Sequence, residues 1–401
     1  MGLGDIARAI AGGLGSRKAL PQDGTRAHRV AVTVGSEQID GWLDYDILNS
    51  MVEPADGFRM SMPYSKDAWK LCRLDEEIQV SVDGTTVLDG YIDDRTRSAK
   101  DGTLEIAGRD KAGRLIQESI PNTTGWDGLQ LTEAIKQLAS PWFTSVSLSD
   151  ARNRSVRRGK GHRASAGGEP AFFKVKGKLD EEHAGRLDPG EMRWNVIQQL
   201  TSSVGLGVWS SADGREIVIG EPNYEQAVQY LLRHSVTRGS TVKDLKLKES
   251  VADGYALIEV HGMGHGDDAD FGANVTAYLG IAKDGPNADG TGGDFLRPKR
   301  LAMAQRSFES NAEAKRAAER EMKRRRFNRR QLTATCPLHG QLVAGTIMTL
   351  FAPNTLARVI DDEADMDETW LIYACRLRAS RGEGEVTELM LVPRGTEFVS
   401  A

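Results

Sequence analysis

Ile78-Gln79-Val80-Ser81-Val82-Asp83-Gly84-Thr85-Thr86-Val87-Leu88 decides the fold of the first part of the chain. Ile78, Val80 and Val82 recur at every second residue, so an extended segment has one apolar and one polar face, the pattern of a half-buried antiparallel strand. Asp83-Gly84-Thr85 supplies residues that tolerate positive φ, and the chain turns back as a hairpin. Outward from this hairpin, Val30, Val32 and Val34 repeat the alternation, as do Leu104 and Ile106 after a second turn at Asp101-Gly102-Thr103. Residues 30–119 are therefore predicted to form a small antiparallel β-barrel or sandwich, preceded by an arm over 1–29.

The whole chain has 401 residues, more than one core accommodates, because single cores stop growing at roughly 250 to 300 residues; two to four modules are expected. Charged residues make up 27% and hydrophobic residues 39%, and the net charge is −5. This balance fits an ordinary globular protein and gives no global attraction to phosphate. Cys72, Cys336 and Cys375 lie far apart with no CxxC spacing, which fits neither a zinc site nor a disulfide scaffold and points to synthesis in a reducing cytoplasm. In the arm, Ile6, Ala7, Ile10 and Leu14 form a short amphipathic stripe on an otherwise leader-like segment. It lacks a basic start and an apolar run of ~20 residues, so neither a signal peptide nor membrane insertion is expected.

Beyond the first module the period changes. Leu131, Ile135, Leu138 and Ala139 recur at helical spacing, and the helix ends before Pro141. Residues 120–235 read as a mixed α/β module, interrupted over 150–187 by a polar insertion that begins Arg152-Asn153-Arg154. Trp194, Ile197, Leu200 and Val204 mark its second helix, and Glu216 to Ile219 a strand. A second β-barrel is assigned to 236–262 and 331–396, the latter with strand-like runs at Leu332–Cys336, Ile347–Leu350, Trp370–Leu377 and Val386–Val392. Between them, 263–330 reads as a Gly- and Asp-rich loop followed by a basic helix. Ser310-Asn311-Ala312-Glu313 would cap that helix, and Glu319/Lys323 and Glu321/Arg325 would pair along it. The fold class is thus α+β: antiparallel β modules linked by mixed α/β modules. A long strand, a polar Gly-containing turn and a return strand occur at Val87–Ala107 and again at Leu371–Val392; two readings stand, a shared topology or unrelated antiparallel pieces.

Chemistry-bearing patterns are sparse. His261-Gly262-Met263-Gly264-His265-Gly266-Asp267-Asp268, with Asp270 behind, holds metal-ligand residue types. However, interleaved glycines work against the helix that would put both imidazoles on one face, and no glutamate base follows as in HExxH. The segment is read as a solvated loop, with a metal-dependent or cell-wall-degrading enzyme as the alternative. No GxSxG elbow, Walker loop or strand-to-helix GxGxxG occurs. Asp93/Asp94 and Asp361/Asp362 are neighbours that on a strand would point to opposite faces. Two basic runs, Arg152 to Arg163 and Lys323 to Arg326 with Arg329-Arg330, leave a weak nucleic-acid-binding module as a second alternative, although cations at a helix C-terminus and upstream glutamates explain the latter run. Trp42, Trp69, Trp126, Trp194 and Trp370 are read as anchors of cores or interfaces. No catalytic, cofactor-binding or metal-binding residue is assigned.

Asp40-Gly41-Trp42, Ala55-Asp56-Gly57-Phe58, Gly90-Tyr91-Ile92-Asp93 and Gly108-Arg109-Asp110, in this order and spacing, resemble the start of phage Mu-type contractile tail baseplate hub proteins, the late control protein D-like family, related to the hub part of type VI secretion spike proteins. Asp188-Pro189-Gly190-Glu191 before a helix and Gly214-Arg215-Glu216-Ile217-Val218-Ile219 resemble the family's middle module. Leu350-Phe351-Ala352-Pro353-Asn354 and Trp370-Leu371-Ile372 resemble its last barrel. The chain departs from the family at Gly113-Arg114-Leu115-Ile116-Gln117, where an Asp-Leu-Val-Asp-like run is usual, and in the length of its insertion.

The resemblance implies a structural protein of the virion tail baseplate rather than an enzyme. It further implies two small antiparallel β-barrels per chain, linked by mixed α/β modules, and a homotrimer whose six barrels form a quasi-sixfold ring, a symmetry adaptor between a sixfold tail tube or tube-initiator protein and a separate central spike. Other baseplate proteins would surround it. Tape-measure protein and then DNA would pass along its channel, without specific nucleic-acid binding and without a cofactor.

Overall fold

The computed structural model describes residues 30–39, 42–120, 129–149, 190–203, 206–252, 254–263, 278–284, 299–306, 311–343, 348–380, 384–394 and 396. The arm, the insertion over 150–187, Asp40-Gly41, Trp126, His265 and Ser310 lie outside the described residues. Two compact units result, one from residues up to Leu245 with Ala334–Leu391, the other from Lys246–Thr333 with Val392–Val399.

In the first unit, β1 (Val30–Val34), β2 (Glu37–Ile39), β3 (Asp44–Ser50), β4 (Gly57–Pro63), β5 (Glu77–Val82), β6 (Thr85–Ser98) and β7 (Thr103–Asp110) pair antiparallel in the order β3-β4-β7-β6-β5-β1-β2. The β5–β6 hairpin turns at Asp83 and Gly84, with φ of 50° and 84°, the left-handed region in which Asp and Gly are cheap. The sheet curls, so that Val32 and Val34 of β1, Ile78 and Val80 of β5, Ile47 of β3 and Met60 of β4 share one core. Helix α1 (Lys66–Leu71) closes the core from one side; its Ser65 N-cap hydroxyl accepts from the Ala68 amide at 2.9 Å. The Arg95 guanidinium lies 3.9 Å from the Trp69 ring and donates to the Trp69 and Cys72 carbonyls at the end of that helix.

After α2 (Ala112–Gln117) come α3 (Leu131–Ala139), β8 (Ser145–Leu148), α4 (Arg193–Ser203), β9 (Gly207–Ser210) and β10 (Glu216–Gly220), with the strands in the order β8-β10-β9. Leu131, Ile135 and Leu138 of α3, Trp194 and Ile197 of α4, Leu115 of α2 and Ile217 and Ile219 of β10 make the core of this layer. The expected helices, as far as Leu200, and the strand at 216–219 stand where the periodicity placed them; Val204 lies outside the described residues. Then follow β11 (Tyr230–His234) and β12 (Asp244–Glu249).

The second unit contains β13 (Leu257–Met263), β14 (Tyr278–Lys283) and β15 (Arg300–Arg306), in the order β14-β13-β15, with α5 (Asn311–Arg329) on one face. Two expectations are corrected here. Residues 257–262, assigned from sequence to the second barrel with 331–396, pair instead with β14 and β15. Residues 278–283, assigned to a loop, are a strand: Tyr278-Leu279-Gly280-Ile281-Ala282 is an apolar island inside the glycine-rich stretch, and Gly280 lets β14 lie against α5, since a Cβ there would stand 1.9 Å from the Ala314 carbonyl oxygen.

The chain returns to the first unit through β16 (Arg330–Cys336), β17 (His339–Gln341), β18 (Met348–Leu350), β19 (Thr355–Asp361), β20 (Met366–Ser380) and β21 (Gly384–Pro393). These correct the expectation of two closed barrels. β20 pairs antiparallel with β3, so both β portions belong to one thirteen-stranded sheet, with β19 and then β11 branching from β20, and β21, β16 and β12 on its other side. Among the described residues the hydrogen-bonded order is open, and the mixed α+β class stands.

Candidate functional site

The quoted motifs meet at one end of the first sheet. Gly57 lies opposite Arg109 and Phe58 opposite Gly108 in the β4–β7 ladder, while Gly90, Tyr91 and Ile92 lie opposite Asp110, Arg109 and Gly108 in the β6–β7 ladder. The register then slips between Ile92 and Asp94, a bulge that leaves Asp93 to receive the Arg109 guanidinium at 2.7 Å. The two glycines permit the crossing of backbones. A Cβ on Gly90 would stand 2.0 Å from the Arg109 carbonyl oxygen, and one on Gly108 would stand 2.0 Å from that of Tyr91 and 2.8 Å from the Phe58 ring.

The middle-module motif arrives at the same place. Gly214, at φ 72°, brings its turn against β6, where a Cβ would lie 2.9 Å from the Asp89 carbonyl oxygen and 3.4 Å from the Asp110 Cβ. Asp89 is bridged by Lys111 at 3.0 Å and by Arg215 at 3.5 Å. Asp56 and Asp110 are buried, at 2% and 1% exposure. The Asp56 carboxylate accepts from the Ser50 amide at 2.7 Å and fixes the β3–β4 turn; that of Asp110 accepts from the Ala112 amide at 3.1 Å and fixes the start of α2. Burial, and then the neighbouring Asp110 charge, hold Asp56 well above the usual carboxylate range. Burial pushes Asp110 up to about 7 against the downward pull of the Ser210 hydroxyl and the backbone amides of Ala112 and Gly113. Each carboxyl was legible as a motif residue, but not their pairing, which depends on the order of the strands.

A carboxyl pair with raised proton affinity would be a catalytic candidate in a cleft. Here both groups are sealed among backbone amides at a joint between layers, and their contacts are those of structure. The other sequence candidates stay apart. His261 is half-exposed on β13, its Nε2 3.6 Å from Glu259, and His265, Asp267, Asp268 and Asp270 lie outside the described residues. Among the described residues no group of three His, Cys, Asp or Glu side chains could hold a metal. Asp361 faces His234 at 3.1 Å. In the basic run, Arg324 and Arg325 bind Glu321, Arg326 and Arg329 bind Asp284, and Arg330 lies 3.0 Å from Glu249. Glu319 stands 3.9 Å from Lys315, toward the start of the helix. Trp42, Trp194 and Trp370 are core residues, and Trp69 is half-buried beneath Arg95. Among the described residues no helix is long and apolar enough to cross a membrane.

The fold is that of phage tail proteins. A tail protein from Neisseria meningitidis MC58 superposes with a TM-score of 0.69 at 24% identity, covering 93% of this chain and 98% of that one. The 43 kDa tail protein of prophage MuSo2 from Shewanella oneidensis gives 0.68 at 18% identity, covering 92% and 100%. Prophage tail protein gp18 from Listeria monocytogenes gives 0.53 at 10% identity, covering 91% and 94%. More particularly, residues 29–110 match the family of Mu phage baseplate assembly proteins, GpP-like, N-terminal domain. The resemblance read from the motifs is thereby upheld over the module that carries most of them. No curated protein matches the sequence.

Proposed function

We propose that this chain is the structural hub of a contractile phage tail baseplate, a homotrimer that joins a sixfold tail tube to a threefold central spike and performs no chemistry of its own. The observation that carries the reading is the whole-length likeness to tail proteins combined with a first module of the Mu baseplate family. The use of the motif residues supports it, because Asp56, Gly90, Gly108, Arg109, Asp110 and Gly214 are engaged in fixing neighbouring strands and turns to one another.

A symmetry adaptor needs two similar surfaces per chain, so that three copies present six. One sheet with a long hairpin on either side of the β3–β20 seam, β6–β7 with strands of 14 and 8 residues and β20–β21 with strands of 15 and 10, is suited to that task. The two halves would act as barrel-like blades, with the spike, the tube and the other baseplate proteins as partners and the channel passing tape-measure protein and DNA. Electron microscopy of the purified chain mixed with its spike tests this. Rings with a threefold axis and six similar lobes are the expected result; particles lacking a threefold axis would overturn it.

A further inference from the structure

Asp56 and Asp110 do more than a pair of buried amides would. Among the described residues no cation is bonded to either carboxyl. Asp110 Oδ2 is enclosed without a hydrogen-bond donor of good geometry. An ionised carboxylate in that position leaves a buried charge on an oxygen without a donor, a desolvation cost that protonation reduces by neutralising the group. The backbones are tied as well, since the Asp110 amide donates to the Asp56 carbonyl at 2.9 Å. Asp110 also holds the first turn of α2, whose Leu115 enters the core of the α/β layer.

We propose that the Asp56–Asp110 pair is a proton-dependent latch between the first sheet and the α/β layer: with its protons the joint is closed, and on losing them α2 and the Gly214 turn come free. The groups facing the pair favour the protonated state. Glu53, from the β3–β4 turn, acts on Asp56 in the same direction as Asp110 does. Asp89 of β6 is occupied by Lys111 and Arg215, and Arg109 of β7 by Asp93. From β20, Cys375 is a buried thiol, its own proton held by burial and by neighbouring Cys336 and Asp56.

The sign follows from linkage. The closed joint keeps protons that an opened joint releases at an ordinary carboxylate pKa, so closure is favoured in acid and weakens as pH rises toward the closed-state value of about 7. Each proton so held raises the opening equilibrium about tenfold per pH unit between about 5 and 7, with a plateau above.

Hydrogen exchange of the full chain from pH 5 to 8.5, corrected for the intrinsic rate, tests this. Peptides covering 106–118 and 208–217 are expected to open with that slope while α5 peptides stay flat, and Asp110→Asn is expected to abolish the slope. A joint as flat as α5, or an Asn variant that keeps the slope, overturns the latch; should the variant fail to fold, the comparison of the two regions in the unaltered chain still decides. The latch stands independently of the hub reading.

Discussion

Arg376 grips the Asp46 carboxylate with two bonds, from Nε at 2.7 Å and from Nη2 at 2.6 Å, across 330 positions of sequence. Arg376 sits on β20 opposite Leu48 and reaches diagonally to Asp46 on β3, so the pair clamps the seam between the two β halves. Both side chains are partly exposed, at 40% and 29%, so the electrostatic gain is screened. Arg376→Ala is expected to cost only about 0.5 to 1 kcal/mol, and a double-mutant cycle with Asp46→Ala should return a coupling of that size. Denaturant unfolding measures it; additive losses would show that the ladder alone holds the seam.

The motif glycines should divide by what surrounds them. Gly108→Ala drives a methyl into the Tyr91 backbone and the Phe58 ring, and a loss of about 3 kcal/mol is expected. Gly102, at φ 62° with open space around it, should lose about 1 kcal/mol on the same change, from left-handed strain alone. Thermal unfolding of the two variants gives the ranking, and the reverse order would contradict the crossing described above.

Asp284 neutralises Arg326 and Arg329 while itself only 7% exposed in its side chain. Asp284→Ala is expected to destabilise the second unit by about 2 kcal/mol, as for hydrogen bonds to a charged group. It should also remove the counter-charge that Arg326 and Arg329 share, so that the variant gains a duplex-DNA affinity that falls with salt. Fluorescence anisotropy against the unaltered chain reads this directly. Equal binding by both proteins would mean that the basic run is already open.

All three cysteines are buried and unpaired. Burial pushes the Cys72 thiol up to about 11 and that of Cys336 to about 12, so little thiolate exists at neutral pH. A thiol reagent should therefore label none of them quickly in the folded protein and all three after denaturation. Rapid labelling of one site in native buffer would show that its surroundings open.

Legibility in the sequence followed local pattern. β1, β5 and β7 announced themselves because apolar residues alternate between Gly-containing turns, and α3 and α4 because theirs recur at helical spacing. β3 did not, since its buried end is Asn49-Ser50, polar residues of which Asn49 donates to the Val87 carbonyl and Ser50 positions Asp56. β14 was hidden by the glycine-rich composition around it. The joint was half legible: the motif residues stood out individually, but that Gly57, Gly90, Gly108 and Gly214 converge follows from strand order and from Gly214 reaching back to Asp89, which no local pattern encodes.

The mass of the purified protein by light scattering, over a wide range of concentrations, bears most directly on the hub. The account expects a species three times the mass of the chain, formed alone at high concentration or on addition of the spike. A stable dimer at every concentration, unchanged by the spike, would contradict it.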